Sequence, residues 1–306
     1  MGYLGLTGCT HLQTEDLLNN HTQYTTQYEI SSVPFFAQQQ YQCGPAALAM
    51  MLQAQNINVE PEALTPKMYI PQREGSLQIE LLATARQHGV IPYVIDNNMT
   101  GLLAQIQADN PVLVLQNLGL AWLPKWHYAV VIGYDFAHAE LILRSGIEQR
   151  HVLPMKVFER TWARSNYWGV VILPPDRMPA QVDEMRYIEA VAAVERSNQY
   201  VTSRLAYQTA LQHWPENLVA LMGLGNSYAA QQDYQNAVIT FTAATQHHPN
   251  AADAYNNLAD SLLNLTQHNA ALQAIKKAIA LGGRHKEVYL ETLHAIEQKI
   301  LLQQKQ

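Results

Sequence analysis

The chain has 306 residues, of which 48% are hydrophobic and 14% are charged, and its formal net charge is -6. This length is sufficient for two compact domains, each with a core of its own. The negative net charge and the lack of a lysine and arginine run argue against a nucleic-acid partner. No stretch of about 20 consecutive apolar residues occurs, so we expect no conventional membrane-spanning helix.

The N-terminal segment contains one of the two cysteines, Cys9, and we expect no disulfide between it and Cys43. Cys9 ends the sequence LTGC, which resembles the lipobox of bacterial lipoproteins, in which the cysteine becomes lipidated. The stretch before it is shorter than a full signal peptide. We therefore interpret residues 1–9 as the remnant of a lipoprotein signal and the polar residues 10–29 as a tether. The alternative is a structureless tail with an incidental cysteine.

The lipobox resemblance also implies a location for the protein. A lipidated Cys9 would anchor the chain to a membrane of the cell envelope. Thr10 follows Cys9 and is not the residue expected to retain a lipoprotein at the inner membrane. In a Gram-negative cell we therefore expect the periplasmic side of the outer membrane.

Helices dominate the next part of the chain. Residues 33–36 (VPFF) are predicted to be extended, because a proline disfavours helical geometry in the residue before it. The apolar residues 46–52 predict a helix with Pro45 in its first turn. Further helices are predicted from Gly75 to Gly89 and over residues 99–108.

Strands follow these helices. Short apolar runs bounded by turn residues predict strands at four places: 111–116, 127–134, 141–145 and 167–173. The turn at 135–140 predicts an antiparallel hairpin, and two prolines at 174–175 mark the end of the domain. Helices followed by an antiparallel sheet indicate an α+β domain over residues 30–176.

A 34-residue period replaces the strand pattern after about residue 180. Small and large apolar residues recur at fixed offsets in three copies, and each copy ends at one residue of an evenly spaced set: Pro215, Pro249, Gly283. The pattern resembles the tetratricopeptide repeat, in which small residues let paired helices approach. We therefore predict an all-α tetratricopeptide-repeat domain over residues 181–306, with a capping helix after Gly283.

Metal and cofactor sites are not expected. The sequence contains no Cys-x-x-Cys or His-Glu-x-x-His spacing and no phosphate-binding glycine loop. Gly223 and Gly225 fall on a repeat helix, and we interpret them as positions of close helix packing.

Cys43 lies at the start of the first predicted helix, within the sequence QCGPAA at 42–47. A thiol at this position faces free backbone N–H groups and the positive end of the helix dipole, and both favour the thiolate. Gly44 would let the backbone come close to a substrate. The alternative interpretation is a buried structural cysteine.

His127 begins a predicted strand, which would fix its backbone. It is one of 12 histidines, most of which need no functional explanation. A cysteine at a helix start and a histidine on a facing strand form the arrangement of papain-type enzymes, in which the histidine removes the thiol proton.

Residues 33–173 resemble the bacteriocin-processing (double-glycine leader) peptidase-like family of the papain-like fold. The matching stretches are VPFF at 33–36, QCGPAALAM at 42–50, GSL at 75–77 and HYAVVIGYD at 127–135. The resemblance implies a papain-like α+β domain with cysteine peptidase activity on a bond that follows small residues, often Gly-Gly.

The family also places a glutamine a few residues before the cysteine, where its amide donates to the oxyanion. This chain offers Gln38, Gln39 and Gln40. The position after VPFF favours Gln38, and the slightly tight spacing to Cys43 leaves Gln39 as an alternative.

The third catalytic residue departs from the family pattern. The family usually carries an aspartate on the strand after the histidine hairpin, whereas this chain has Ser145 there. A serine can orient the imidazole by a hydrogen bond but does not stabilise the imidazolium by charge. Asp135 lies in the predicted turn, and we expect it to be out of reach. The alternatives are a slower enzyme, a dyad of Cys43 and His127 helped by Ser145, or a carboxylate from elsewhere.

Two functions remain open at this point. The first is a cysteine peptidase acting through Cys43, His127, Gln38 and Ser145, whose repeat domain binds the substrate or another protein partner. The second is a catalytically weak or inactive module of the same fold that binds peptide leaders. The retained cysteine and histidine favour the first, and the missing aspartate favours the second.

Overall fold

The computed structural model describes residues 13–38, 42–70, 72 and 75–303. Cys9, Gln39 and Gln40 lie outside the described residues. The chain divides into two compact units that meet in sequence near residue 175, the first ending at Val182 and the second continuing from Asp183. Among the described residues, no helix is both long and apolar enough to cross a bilayer.

The first unit is built on an antiparallel sheet. The described strands are β1 (Gln27–Glu29), β2 (Tyr69–Ile70), β3 (Gly75–Ser76), β4 (Ile91–Val94), β5 (Val112–Asn117), β6 (Trp126–Asp135), β7 (Glu140–Ser145), β8 (Glu148–Pro154) and β9 (Gly169–Leu173). The main sheet has the order β4-β9-β5-β6-β7-β8, with β1 added beside the end of β6, while β2 and β3 form a separate pair. The four predicted strands correspond to β5, β6, β7 and β9. Sequence reasoning missed β1, β4 and β8.

In the described part of the first unit, six helices accompany the sheet: α1 (Gln13–Asn19), α2 (Cys43–Gln53), α3 (Pro61–Met68), α4 (Gln78–Arg86), α5 (Met99–Gln107) and α6 (Met155–Ala163). The central one is α2, which is buried from Gly44 to Leu52. A helix that is apolar on every side is typical of a core position. Residues 75–76 were predicted to start a helix but instead pair with β2, and α4 begins after the extended residue Leu77.

The described part of the predicted tether, residues 13–29, contains regular secondary structure. Residues 13–19 form α1, and the fully buried carboxylate of Glu159 accepts hydrogen bonds from the backbone N–H groups of Gln13 and Thr14, each at 2.8 Å. The first N–H groups of a helix have no partner within it, so a carboxylate there stabilises the helix start. The partner lies about 145 residues away in sequence, and local composition therefore gave no sign of it.

Strand β1 completes the folding of this segment. It pairs with the end of β6, with Tyr28 opposite Tyr134 and Glu29 opposite Gly133. A Cβ on Gly133 would lie 2.6 Å from the carbonyl oxygen of Tyr28. Glycine at 133 therefore allows the N-terminal strand to approach the sheet.

The second unit is helical throughout its described residues, as predicted. Its helices are α7 (Glu184–Glu195), α8 (Tyr200–His213), α9 (Leu218–Ala230), α10 (Tyr234–His247), α11 (Ala252–Asn264), α12 (His268–Leu281) and α13 (Lys286–Gln303). A Cβ on Gly223 would lie 2.2 Å from the ring of Tyr207, and one on Gly225 would lie 2.4 Å from the ring of Phe241. The interpretation of both glycines as close-packing positions is confirmed.

Candidate active site

Cys43 is the first residue of α2, and its side chain is half-buried where α2 packs against β6. The backbone N–H groups of Tyr128, Gly44 and Cys43 lie close enough to the thiol to lower its pKa. Because Tyr128 directly follows His127 in the chain, the thiol of Cys43 lies next to the beginning of β6. The structure therefore brings Cys43 and His127 to the same place.

His127 is oriented by Ser145. Its Nε2 lies 2.9 Å from the hydroxyl oxygen of Ser145, which ends the neighbouring strand β7. This bond occupies Nε2 and leaves Nδ1 as the ring nitrogen that can accept a proton from the thiol. Ser145 thus occupies the place from which a histidine-orienting group acts.

Gln38 links the two strands that carry His127 and Ser145. Its side-chain oxygen accepts from the backbone N–H of Gly146 at 3.0 Å, and its amide Nε2 donates to the carbonyl of Tyr128 at 3.1 Å. Its own backbone N–H donates to the carbonyl of Gly146 at 2.9 Å. Gln38 therefore ties the start of β6 to the end of β7.

The site is less ionised than the sequence suggested. Burial raises the pKa of the Cys43 thiol, and this effect outweighs the three backbone N–H groups that lower it. Burial, and to a smaller extent the proximity of His151 and Lys125, lowers the pKa of His127 to about 4. Both groups are therefore neutral at pH 7. The backbone N–H groups at the helix start favour the thiolate, as expected, but desolvation disfavours the charged form more strongly.

Carboxylates contribute little to this site. Among the described residues, none is among the charges that shift the pKa of His127. Asp135 is at the other end of β6, about 26 Å along the strand, and its carboxylate accepts from the backbone N–H of Ala137 and contacts His138. The prediction that Asp135 is out of reach is confirmed. In the described part of the chain, no group of three or more histidine, cysteine or acidic residues could hold a metal ion.

Ser76 is a neighbour of the site that sequence reasoning did not single out. A Cβ on Gly44 would lie 2.7 Å from the Ser76 hydroxyl oxygen, and the Ser76 carbonyl accepts from the phenol of Tyr128 at 3.2 Å. Strand β3 therefore supports both the cysteine turn and the start of β6. The signal was present in the GSL motif, which had been assigned to a helix start.

Arg144 holds the extended N-terminal part of the site. It is buried, and its guanidinium donates to the carbonyl of Val33 from Nη2 at 3.0 Å and from Nε at 3.3 Å. The VPFF segment is thereby fixed to the sheet just before Gln38. An arginine next to Ser145 gave no functional signal in the sequence, because its partner is a backbone carbonyl far away along the chain.

Comparison with protein-family models identifies both units. The Peptidase_C39 like family matches residues 30–170, and two tetratricopeptide-repeat models match residues 189–246 and 252–281. Among curated proteins, none is significantly similar to this chain.

Solved structures resemble each unit separately. A Bacillus anthracis protein described as a C39-like peptidase is 17% identical, with a TM-score of 0.42, and the match covers 51% of this chain and 100% of that one. The Sgt2 tetratricopeptide domain from Aspergillus fumigatus is 19% identical, with a TM-score of 0.39, over 40% of this chain and 82% of that one. The TPR2B domain of yeast Sti1 in complex with pHsp70 is 14% identical, with a TM-score of 0.37, over 38% and 97%.

The matches to the family models agree with the order of elements along the chain. The part matched by the peptidase family begins after α1 and β1, contains helices α2 to α6 and strands β2 to β8, and ends within β9, and helices α7 to α13 follow it. The chain thus consists of an N-terminal, sheet-rich C39-like peptidase domain followed by a helical tetratricopeptide-repeat region.

Proposed function

We propose that this protein is a cysteine peptidase that uses Cys43 as nucleophile and His127 as general base. The observation that carries the proposal is the meeting of the Cys43 thiol with the start of β6, where Ser145 fixes the His127 ring. In this reaction the sulfur attacks the carbonyl carbon of the scissile bond and the thiol proton passes to Nδ1 of His127. His127 then gives that proton to the leaving amine, and water hydrolyses the resulting thioester.

The oxyanion of the tetrahedral intermediate needs donors that are already in place. The side-chain amide of Gln38 donates to the carbonyl of Tyr128, the residue after His127, and we assign to this amide the donor role towards the oxyanion. The backbone N–H groups at the start of α2 provide further donors. Because the resting thiol and imidazole are both neutral, the proton moves during the attack and not before it. We therefore expect a slow enzyme.

The proposal also covers the substrate and the location of the protein. The resemblance to double-glycine leader peptidases supports cleavage after small residues such as Gly-Gly in a secreted or envelope protein. Tetratricopeptide repeats typically bind peptides or proteins, and we assign to residues 184–303 the capture of the substrate or of a partner. The LTGC sequence supports lipidation of Cys9 and anchoring in the cell envelope, on the periplasmic side of the outer membrane in a Gram-negative cell.

The proposal is tested with a peptide probe that carries Gly-Gly followed by a thiol-reactive electrophile. The parent protein is compared with Cys43→Ala and His127→Ala variants, and adduct formation is followed by intact mass. We expect one adduct on the parent, none on Cys43→Ala and a much slower reaction on His127→Ala. Equal rates for the parent and His127→Ala would contradict a catalytic role for the histidine.

One observation favours a second function. The site is neutral, and no described carboxylate is among the groups that shift the pKa of His127. In this case the domain binds a leader peptide without cleaving it. A Gly-Gly leader peptide would then bind the parent and Cys43→Ala equally well, and prolonged incubation with the parent would leave the peptide intact. Cleavage by the parent alone would eliminate this function.

A further inference from the structure

The loop between β5 and β6 extends the sheet beyond the candidate active site as an apolar hairpin, residues 118–126. The N–H of Leu118 donates to the carbonyl of Lys125 at 2.9 Å. Leu120 and Leu123 exchange two backbone hydrogen bonds of 3.1 and 3.2 Å. Trp122 is therefore at the tip, and the other arm of the hairpin runs directly into His127.

The hairpin exposes large apolar side chains. The side chain of Trp122 is 78% exposed and that of Leu123 is 63% exposed. Of the eight exposed large apolar residues in the described part of the first unit, six lie at this end of the sheet: Leu118, Leu120, Trp122, Leu123, Trp126 and Ile147. Such a cluster on a soluble surface marks a site of interaction with another protein or a membrane.

The hairpin is held in shape by the side chains of buried Asn117 and exposed Arg164. The side-chain oxygen of buried Asn117 accepts from the N–H groups of Gly119 and Lys125, each at 2.9 Å. Arg164 donates to the carbonyls of Asn117 at 3.1 Å and Gly119 at 2.6 Å. A Cβ on Gly119 would lie 2.4 Å from the carbonyl oxygen of Leu123. The apolar residues are thus presented on a rigid support.

The start of the described chain and the hairpin both contact the region of helix α6. The N–H of Gln13 binds Glu159 of α6, and Arg164, which contacts the hairpin, caps the end of α6. Five residues separate Glu159 from Arg164, which is about 7.5 Å along a helix. Cys9 precedes Gln13 by four residues, so it reaches at most about 14 Å from Gln13. A lipid on Cys9 would therefore place a membrane close to the hairpin.

We propose that the apolar hairpin inserts into the interface of a lipid bilayer. Tryptophan is favoured at membrane interfaces, leucine is favoured in the acyl region, and the exposed Lys125 can meet anionic headgroups. Insertion would place His127 next to the membrane surface, so the substrates of the peptidase would be polypeptide segments lying at that surface. The inference deepens the proposed lipid anchoring and does not require a reactive Cys43.

The test uses the full chain with Cys9→Ser, so that no lipid contributes, and vesicles of phosphatidylethanolamine and phosphatidylglycerol. Trp122→Ser combined with Leu123→Ser removes the tip. The matched control, Val219→Ser with Ile239→Ser, removes two apolar residues of the repeats that are 54% and 59% exposed. We expect the tip variant to lose at least about tenfold in vesicle partitioning, while the control and a Cys43→Ala variant partition like the parent protein.

The other possible results of this experiment would overturn the proposal. A parent protein that does not bind vesicles, or a tip variant that binds as well as the parent, would overturn the proposal. If the tip variant binds vesicles normally but has a raised KM for a soluble peptide, the hairpin is a peptide subsite and not a membrane element. Labelling of Cys43 by a small thiol reagent at the parental rate shows that the tip variant is folded. Because Cys43→Ala is tested for vesicle binding, failure of the peptidase function remains distinguishable from failure of the insertion.

Discussion

The two units of this chain position their important residues in different ways. In the peptidase unit, Gln38 reaches the backbone of Tyr128 and Gly146, which are 90 and 108 residues away. In the repeat unit, the close contacts join neighbouring helices, as Gly225 does with Phe241. The site therefore depends on a few long-range hydrogen bonds that single substitutions can remove without unfolding. The repeats depend on packing, so a substitution there acts on stability.

The largest expected effect is that of replacing His127, which should change activity far more than stability. Replacing it by alanine removes the general base, and we expect kcat/KM for a Gly-Gly peptide to fall at least about a thousandfold. The free energy of unfolding should change little, because among the described residues the His127 side chain forms a hydrogen bond with Ser145 alone. Peptide cleavage and urea unfolding measure the two quantities. A large loss of stability would mean that the histidine is chiefly structural.

The pH dependence of stability gives the next largest effect. The folded protein holds the pKa of His127 at about 4, chiefly because desolvation of the half-buried ring disfavours its charged form, whereas the pKa of an unfolded histidine is about 6.5. Between these values the unfolded chain binds the extra proton, so stability falls as pH decreases from about 6.5 to about 4, by about 3 kcal/mol in all.

A His127→Gln variant is the matched control for this prediction, because it removes the titrating group and retains a polar side chain. Its free energy of unfolding should fall less over the same pH range than that of the parent. Parallel pH profiles for the two proteins would show that His127 is not the buried titrating group. All other titrating residues are common to both proteins and cancel in the difference.

In the repeat unit, Gly225→Ala tests the dependence on packing. A Cβ at this position would lie 2.4 Å from the ring of Phe241, and we expect a destabilisation of about 1–3 kcal/mol from overpacking. The double variant with Phe241→Leu makes room for the methyl group. It should be less destabilised than the sum of the two single changes. Strict additivity would mean that the two positions do not clash, and reactivity of Cys43 should be unchanged in all three variants.

The same contrast explains what the sequence could predict. The repeats have a period, and each copy makes its contacts with the next, so the helices and the roles of Gly223 and Gly225 followed from the pattern. In the sheet unit, the motifs around Cys43 and His127 predicted which residues meet. The folding of residues 13–29 did not follow, since the buried carboxylate of Glu159 that fixes α1 lies far away in sequence.

Electrostatics at the site was the other feature that local pattern did not predict. The position of Cys43 at a helix start indicated a stabilised thiolate, and the backbone N–H groups do act in that direction. Burial opposes them and dominates, and it depends on how α2 packs against the sheet. His151 and Lys125, which also lower the pKa of His127, lie on a strand and a loop that only the fold brings near this residue.

The smallest expected effect concerns Ser145. Ser145→Ala removes a neutral hydrogen bond to Nε2 of His127, which is worth about 1 kcal/mol, or about fivefold in kcat. KM should not change, because the bond orients the ring and does not touch the substrate. Ser145→Asp places a carboxylate there, which should raise the pKa of His127 and stabilise the imidazolium formed during attack. The pH profile of kcat should then shift to higher pH for Ser145→Asp alone, whereas an unchanged profile and an unchanged kcat in both variants would mean that another group orients His127.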